Sequence, residues 1–172
     1  MPQHLGLVTV LFCLAAAFAS AEAPATEAAL RAASPWLPAD SVVTKSASGS
    51  WSVRDNVQQP FVDDPEVLGV WNAVDFVESS DQFNPYAATW TSSPLFWTRL
   101  EFFPGGFQKS SFLGSANVSN RWSKGVYLNK ASATASSYQV LTVADVTYLF
   151  VQWKSGDYST RAEKPWYYVF RR

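Results

Sequence analysis

The chain has 172 residues, a formal net charge of −1, 16% aromatic residues, eight tryptophans and a single His, Cys and Met. Those last three (His4, Cys13 and Met1) fall within the first 21 positions, and every tryptophan lies beyond them. Charge is spread along the sequence with no basic stripe or acidic block, which argues against nucleic acid and against a strongly charged membrane surface.

From the N-terminus, Leu5 to Ala19 is almost wholly apolar, and Ala19-Ser20-Ala21 has the small-x-small pattern of a signal-peptidase site. The run is too short for a membrane-spanning helix of about 20 apolar residues. Residues 1–21 therefore read as a signal peptide, and the mature chain as secreted, extracellular or periplasmic, with no transmembrane segment. Without histidine or cysteine, the mature chain lacks the usual nucleophile, base, redox and zinc groups. No disulfide can form, so stability has to come from burial. A buried Trp or Phe removes roughly 150–250 Å² from water, worth about 4–6 kcal/mol gross at about 25 cal/mol/Å².

Residues 22–59 read as an Ala/Ser/Pro-rich arm or linker. Thr26 to Arg31 predicts a helical turn or two ended by Ser34-Pro35, and Lys45 to Ser52 reads as linker. Trp36 and Trp51 either pin the arm to the main domain or offer an aromatic contact to a partner. In Asp63-Asp64-Pro65-Glu66, Asp64 reads as an N-cap with Pro65 at the first helical position.

Residues 60–172 read as almost all β. Expected strands are Gly69–Val77, Leu95–Phe103, Trp122–Asn129, Ser137–Val143, Thr147–Trp153, Tyr158–Ala162 and Trp166–Arg171. Pro104-Gly105-Gly106 is a turn signal, and Ala144-Asp145-Val146 and Ser155-Gly156-Asp157 look like hairpin connections. Alternation places Phe96, Leu100 and Phe102 on one face of their strand and Trp97, Arg99 and Glu101 on the other. Thr147–Trp153 is apolar on both faces, as in a central strand. The pattern fits a small antiparallel barrel, with a β-sandwich as the alternative.

Gly69-Val70-Trp71 resembles the Gly-x-Trp element that opens the first strand of lipocalin-like (calycin) barrels. That resemblance implies structural roles for Gly69 and Trp71, with Arg171 or Arg172 packing over the indole. A longer likeness is carried by Pro60 to Trp71, Val74-Asp75-Phe76-Val77 with Phe83-Asn84-Pro85, and Trp122-Ser123-Lys124-Gly125. Phe150 to Tyr158 and Lys164-Pro165-Trp166-Tyr167-Tyr168-Val169 extend it. In this order, residues 60–172 resemble an uncharacterised extracytoplasmic module appended to bacterial membrane metallopeptidases of the β-lactam sensor-transducer type. The peptidase itself is absent, since no His-Glu-x-x-His helix occurs. Asp145-Val146 replaces a more turn-prone Asp-Gly, and residues 104–121 look like a longer, Ser-rich surface loop.

The expected function is non-catalytic ligand binding or sensing. Alternatives are a protein-interaction or inhibitor domain with a solid barrel, and carbohydrate binding by an exposed row such as Trp90, Trp97 and Trp122. Candidate ligand-binding residues are Trp97, Arg99, Glu101, Trp122, Lys124, Trp153, Tyr158 and Arg161. Lys154, or an arginine, is expected to pair with Asp157. The carboxylates Asp63, Asp64, Asp75, Glu78, Glu101 and Asp157 would make a hydrolase only as two groups about 5–9.5 Å apart across a cleft. No catalytic residue, metal ligand or cofactor is expected. The partner is a small apolar or saccharide ligand, or a protein.

Overall fold

The computed structural model describes residues 26–114, 117–154 and 164–172. The signal-peptide reading of residues 1–21 lies outside the described residues, as do Asp157, Tyr158 and Arg161.

Helix α1 (Glu27–Ala33) is capped by the Thr26 hydroxyl, which accepts from Ala29 N at 3.2 Å. Strands β1 (Val42–Lys45) and β2 (Trp51–Arg54) pair as a hairpin. The Ser-rich stretch read as linker is thus this hairpin's turn, closed by Ser46 N donating to Ser50 O and Ser50 N to Ser46 Oγ. A single 3₁₀ turn, Pro65–Val67, then leads into β3 (Gly69–Val77). Strands β4 (Trp97–Phe103), β5 (Phe107–Phe112), β6 (Val118–Ser123), β7 (Val126–Asn129), β8 (Thr134–Val143), β9 (Val146–Gln152) and β10 (Tyr167–Arg171) follow. Strands β3 to β10 form one closed antiparallel barrel, β10 pairing with β3 to complete it. This all-β architecture is compatible with a lipocalin-like fold, and closure leaves the barrel itself without a free edge.

Residues 104–121 are not a long surface loop. They hold β5 and most of β6, while the stretch Trp122–Asn129 is a hairpin that turns at Lys124-Gly125, with Gly125 at φ +77°. Strand β5 escapes a hydrophobic-pattern reading because its buried positions are Gln108 and Ser110.

A second departure comes from a β-bulge. The β4–β5 register slips between Trp97 and Arg99, so that Trp97 faces Phe112 while Arg99 faces Ser111. One extra residue reverses the parity of everything before it. Trp97 therefore joins Leu100 and Phe102 inside, 1% exposed, whereas Phe96 is turned out at 48%. The bulge thus exchanges the faces that alternation alone assigns to these two rings.

The barrel interior is filled by Trp71, Trp97, Leu100, Phe102, Trp122, Tyr127, Tyr138, Leu149, Tyr168 and Phe170. Eight strands give an interior just wide enough to be filled by side chains or to hold one small ligand. Outside the wall a second cluster of Val77, Tyr148, Phe150 and Val169 lies under the 78–96 connection. Phe83 from that connection meets Tyr148 and Phe150 edge-on at 4.8 and 5.5 Å. Strand β9 is apolar on both faces because both are covered.

Candidate functional site

The two ends of the barrel differ. One is sealed by residues 60–67. Val67 and Trp71 are fully buried there, and the Trp71 indole donates to Val67 O at 2.7 Å. The guanidinium over this ring, 4.8 Å from its centre, belongs to Arg172, which also donates to Glu66 O at 3.2 Å. Arg171 instead continues the strand opposite Asn72 and Tyr148, where it lines a surface hollow with Phe83 and Pro85. Gly69 enters the strand at φ +105°, a conformation that favours glycine.

Trp122 belongs to the same sealed end. It is 1% exposed, its indole N–H is shared between Phe103 O and Phe107 O at 3.0 and 2.9 Å, and Phe61 meets it edge-on at 5.2 Å. Lys124 sits on the adjoining turn, its backbone N donating to Val62 O. Asp64 makes no side-chain cap for the 3₁₀ turn. Its carboxylate accepts from Tyr138 Oη at 3.0 Å instead, which ties the sealing segment to β8.

The opposite end carries the connections 78–96 and 130–133, together with residues 113–114, 153–154 and 164–166. Here Trp153 packs on Trp97 and Tyr168 with ring centres 5.5 and 5.4 Å apart. Phe96 stacks on Phe112 at 5.1 Å, and Trp90 and Trp166 lean on Phe76 at 5.4 and 5.2 Å. These rings, several of them half-exposed, form a rim. Asp75 anchors one side of it. Buried on the outer face of β3, it accepts from Phe76 N, Thr89 N and Trp90 N, which holds the 78–96 connection in place.

Inside the barrel, a polar patch unseen in the sequence runs over β5, β6 and β7. Ser110 Oγ bonds with Gln108 Oε1 at 3.2 Å and with Tyr127 Oη at 3.2 Å, and Asn120 Nδ2 reaches both Gln108 and Ser110 at 3.5 Å. Thr134 and Ser136 are buried on β8 nearby in the ladder. Burial pushes the Tyr127 phenol up to about 12, against the smaller opposing pull of Ser110. Burial likewise raises Tyr168, although backbone groups of Trp97 and Phe96 pull the other way. The Trp97 indole N–H is buried with no acceptor among the described residues. An unpaired buried donor of this kind costs about 1–3 kcal/mol.

The candidate residues do not converge on one site. Trp97 and Trp153 meet at the loop-bearing end, and Trp122 and Lys124 lie at the sealed end. Arg99 and Glu101 pair with each other at 3.5 Å on the outer face of β4. With Trp97 and Trp122 buried, the row Trp90–Trp97–Trp122 is not a surface. The expected pairing of Lys154 with Asp157 lies outside the described residues. Among those described, Lys154 pairs with Asp55 of the N-terminal segment at 3.3 Å and donates to Ala135 O at 2.9 Å, fully enclosed. Burial lowers the Lys154 ammonium, while Asp55 pulls it upward.

Among the described residues no helix is long and apolar enough to cross a membrane. No family model, no curated protein and no solved structure matches the chain.

Proposed function

We propose that this chain is a non-catalytic binding domain that recognises its ligand at the loop-bearing end of the barrel. The observation that carries this reading is the buried indole N–H of Trp97, which lacks an acceptor among the described residues and packs with the half-exposed rings of Phe112 and Trp153. Ligands favour the mouths of barrels, where apolar walls meet a few convergent polar groups. The chemistry fits a small amphipathic molecule with an apolar or ring-like body and one hydrogen-bond acceptor. Three of the candidate carboxylates serve other ends: Asp64 holds Tyr138, Asp75 holds a loop, Glu101 pairs with Arg99. Export is part of the same proposal, resting on the Leu5–Ala19 run and on the likeness of residues 60–172 to an extracytoplasmic sensor-transducer module.

Tryptophan fluorescence titrated with fatty acids, substituted phenols and neutral oligosaccharides tests the reading. A saturable change with one class, weakened at least fivefold in Phe96→Ala or Trp153→Phe, is the expected result. Saturable binding untouched by either substitution would place recognition elsewhere. A second reading, a protein partner docked on this same rim, is favoured by the number of large aromatic side chains buried inside the barrel. In that case no small molecule perturbs the spectrum, and Phe96→Ala instead weakens a protein complex.

A further inference from the structure

The segment from Trp51 to Phe61 does not lie flat on the barrel. Between it and the wall run two adjoining hollows of about 560 and 400 Å³, which share Lys130. The first is bounded by Trp51, Arg54 and the turn Lys130–Ala133, the second by Gln58, Gln59, Phe61 and Arg121. Together they form one furrow along the outside of β6 and β7.

Three features define what the furrow can hold. Its charge is of one sign: Arg54, Arg121 and Lys130 line it, no Asp or Glu does, and none of the three has a carboxylate partner among the described residues. Two of the positive groups near it are held on rings. The Arg121 guanidinium lies 4.5 Å from the centre of Phe107, and Lys45 Nζ lies 5.3 Å over Trp51. An aromatic side chain stands in each hollow, Trp51 in one and Phe61 in the other, beside the amides of Gln58 and Gln59.

The floor excludes one kind of anion. In the 130–133 turn, Ala131 N and Ser132 N donate to Asn129 Oδ1, Ala133 N donates to Lys130 O, and Ala133 O accepts from Asp55 N. An acidic peptide recognised by main-chain pairing would find these partners already taken. Three cations on a chain of net charge −1 are also few against the 6–10 phosphate contacts of about the scale seen in nucleic-acid binders. Ring faces flanked by amides and fixed cations suit a ligand with apolar ring faces, many hydroxyls and spaced negative groups. We propose that this furrow binds an acidic oligosaccharide, its acid groups on Arg54, Arg121 and Lys130 and a sugar ring against Trp51. The furrow shares the 130–133 turn with the loop-bearing end but none of the aromatic rings of the rim.

Calorimetric titration of the full chain with a galacturonate hexamer and a heparin hexasaccharide tests this, alongside a neutral hexasaccharide, hexaglutamate and dT6. At least one acidic saccharide should bind, with an affinity that falls as salt rises and stays at least tenfold above that of hexaglutamate or dT6. Arg121→Gln combined with Lys130→Gln should weaken it at least tenfold and Trp51→Ala at least fivefold. Arg99→Gln, on β4, should leave it unchanged. Thermal midpoints of the variants establish that they remain folded. Binding by neither acidic saccharide would overturn the proposal. So would equal binding of all the polyanions, which marks bare charge, or binding indifferent to Trp51 and to the furrow cations.

Discussion

At Ala144 and Asp145, two non-glycine residues adopt positive φ, 49° and 61°, between the paired ends Val143 and Val146. Two left-handed central residues mark a type I′ hairpin turn, for which Asn-Gly is the preferred pair. The cost of holding Ala with its Cβ in that region is on the order of 1 kcal/mol. Ala144→Asn and Asp145→Gly should each raise stability by up to about 1 kcal/mol, read as a higher urea midpoint at unchanged m-value. Gly106 presents the opposite case. It sits at φ +81°, and a Cβ there would come within 2.7 Å of Phe61 and 3.0 Å of Trp122 O. Gly106→Ala should destabilise by about 1–3 kcal/mol and shift the emission of Trp122 as Phe61 is displaced. The sequence marks the 104–106 turn by composition, but the close approach of Phe61 exists only once the chain is folded.

Among the elements, the N-terminal segment shows how much one buried residue can decide. Asp55 accepts from Ser41 Oγ at 2.7 Å, from Ala135 N at 2.9 Å and from Lys154 Nζ at 3.3 Å. Its own backbone N donates to Ala133 O. The hairpin β1–β2 is thereby fastened to the barrel at one fully enclosed point. Breaking a buried ion pair by removing one partner costs about 3–5 kcal/mol. Asp55→Ala should therefore lower stability by about that amount and open residues 26–54 to protease. Asp55→Leu with Lys154→Met should recover much of the loss, because well-packed apolar residues can replace such a pair. No spacing in the sequence links two residues 99 positions apart. The missed strand β5 has a comparable cause. A pattern reader expects the inward face to be apolar, and Gln108 and Ser110 supply it with a hydrogen-bonded network instead.

Across the whole molecule, the buried phenols set the response to alkali. Tyr127 titrates near 12 when folded against 10.0 for a free phenol, and burial also raises Tyr138 and Tyr168. For a group whose folded value is raised, the contribution to stability is complete below the unfolded value. It is lost as pH climbs through the folded one. Stability should hold level to about pH 9 and fall steeply between about 10 and 12. Urea unfolding across that range checks this, and Tyr127→Phe should make the fall shallower.

How far the site was legible follows from the same physics. Strand content and the sealing role of Gly69-Val70-Trp71 leave local marks: aromatic strands of period two, turn residues, a short motif. By itself the sequence determined an all-β chain built on indole and phenyl rings, because propensity and alternation are properties of neighbours in the chain. Only the tertiary structure decided which rings face inward, since a single bulge at Thr98 exchanges Phe96 and Trp97. It alone brought Arg54, Arg121 and Lys130 onto one furrow and Asp55 onto Lys154. Those juxtapositions depend on barrel closure and register, which are contacts between residues far apart in sequence.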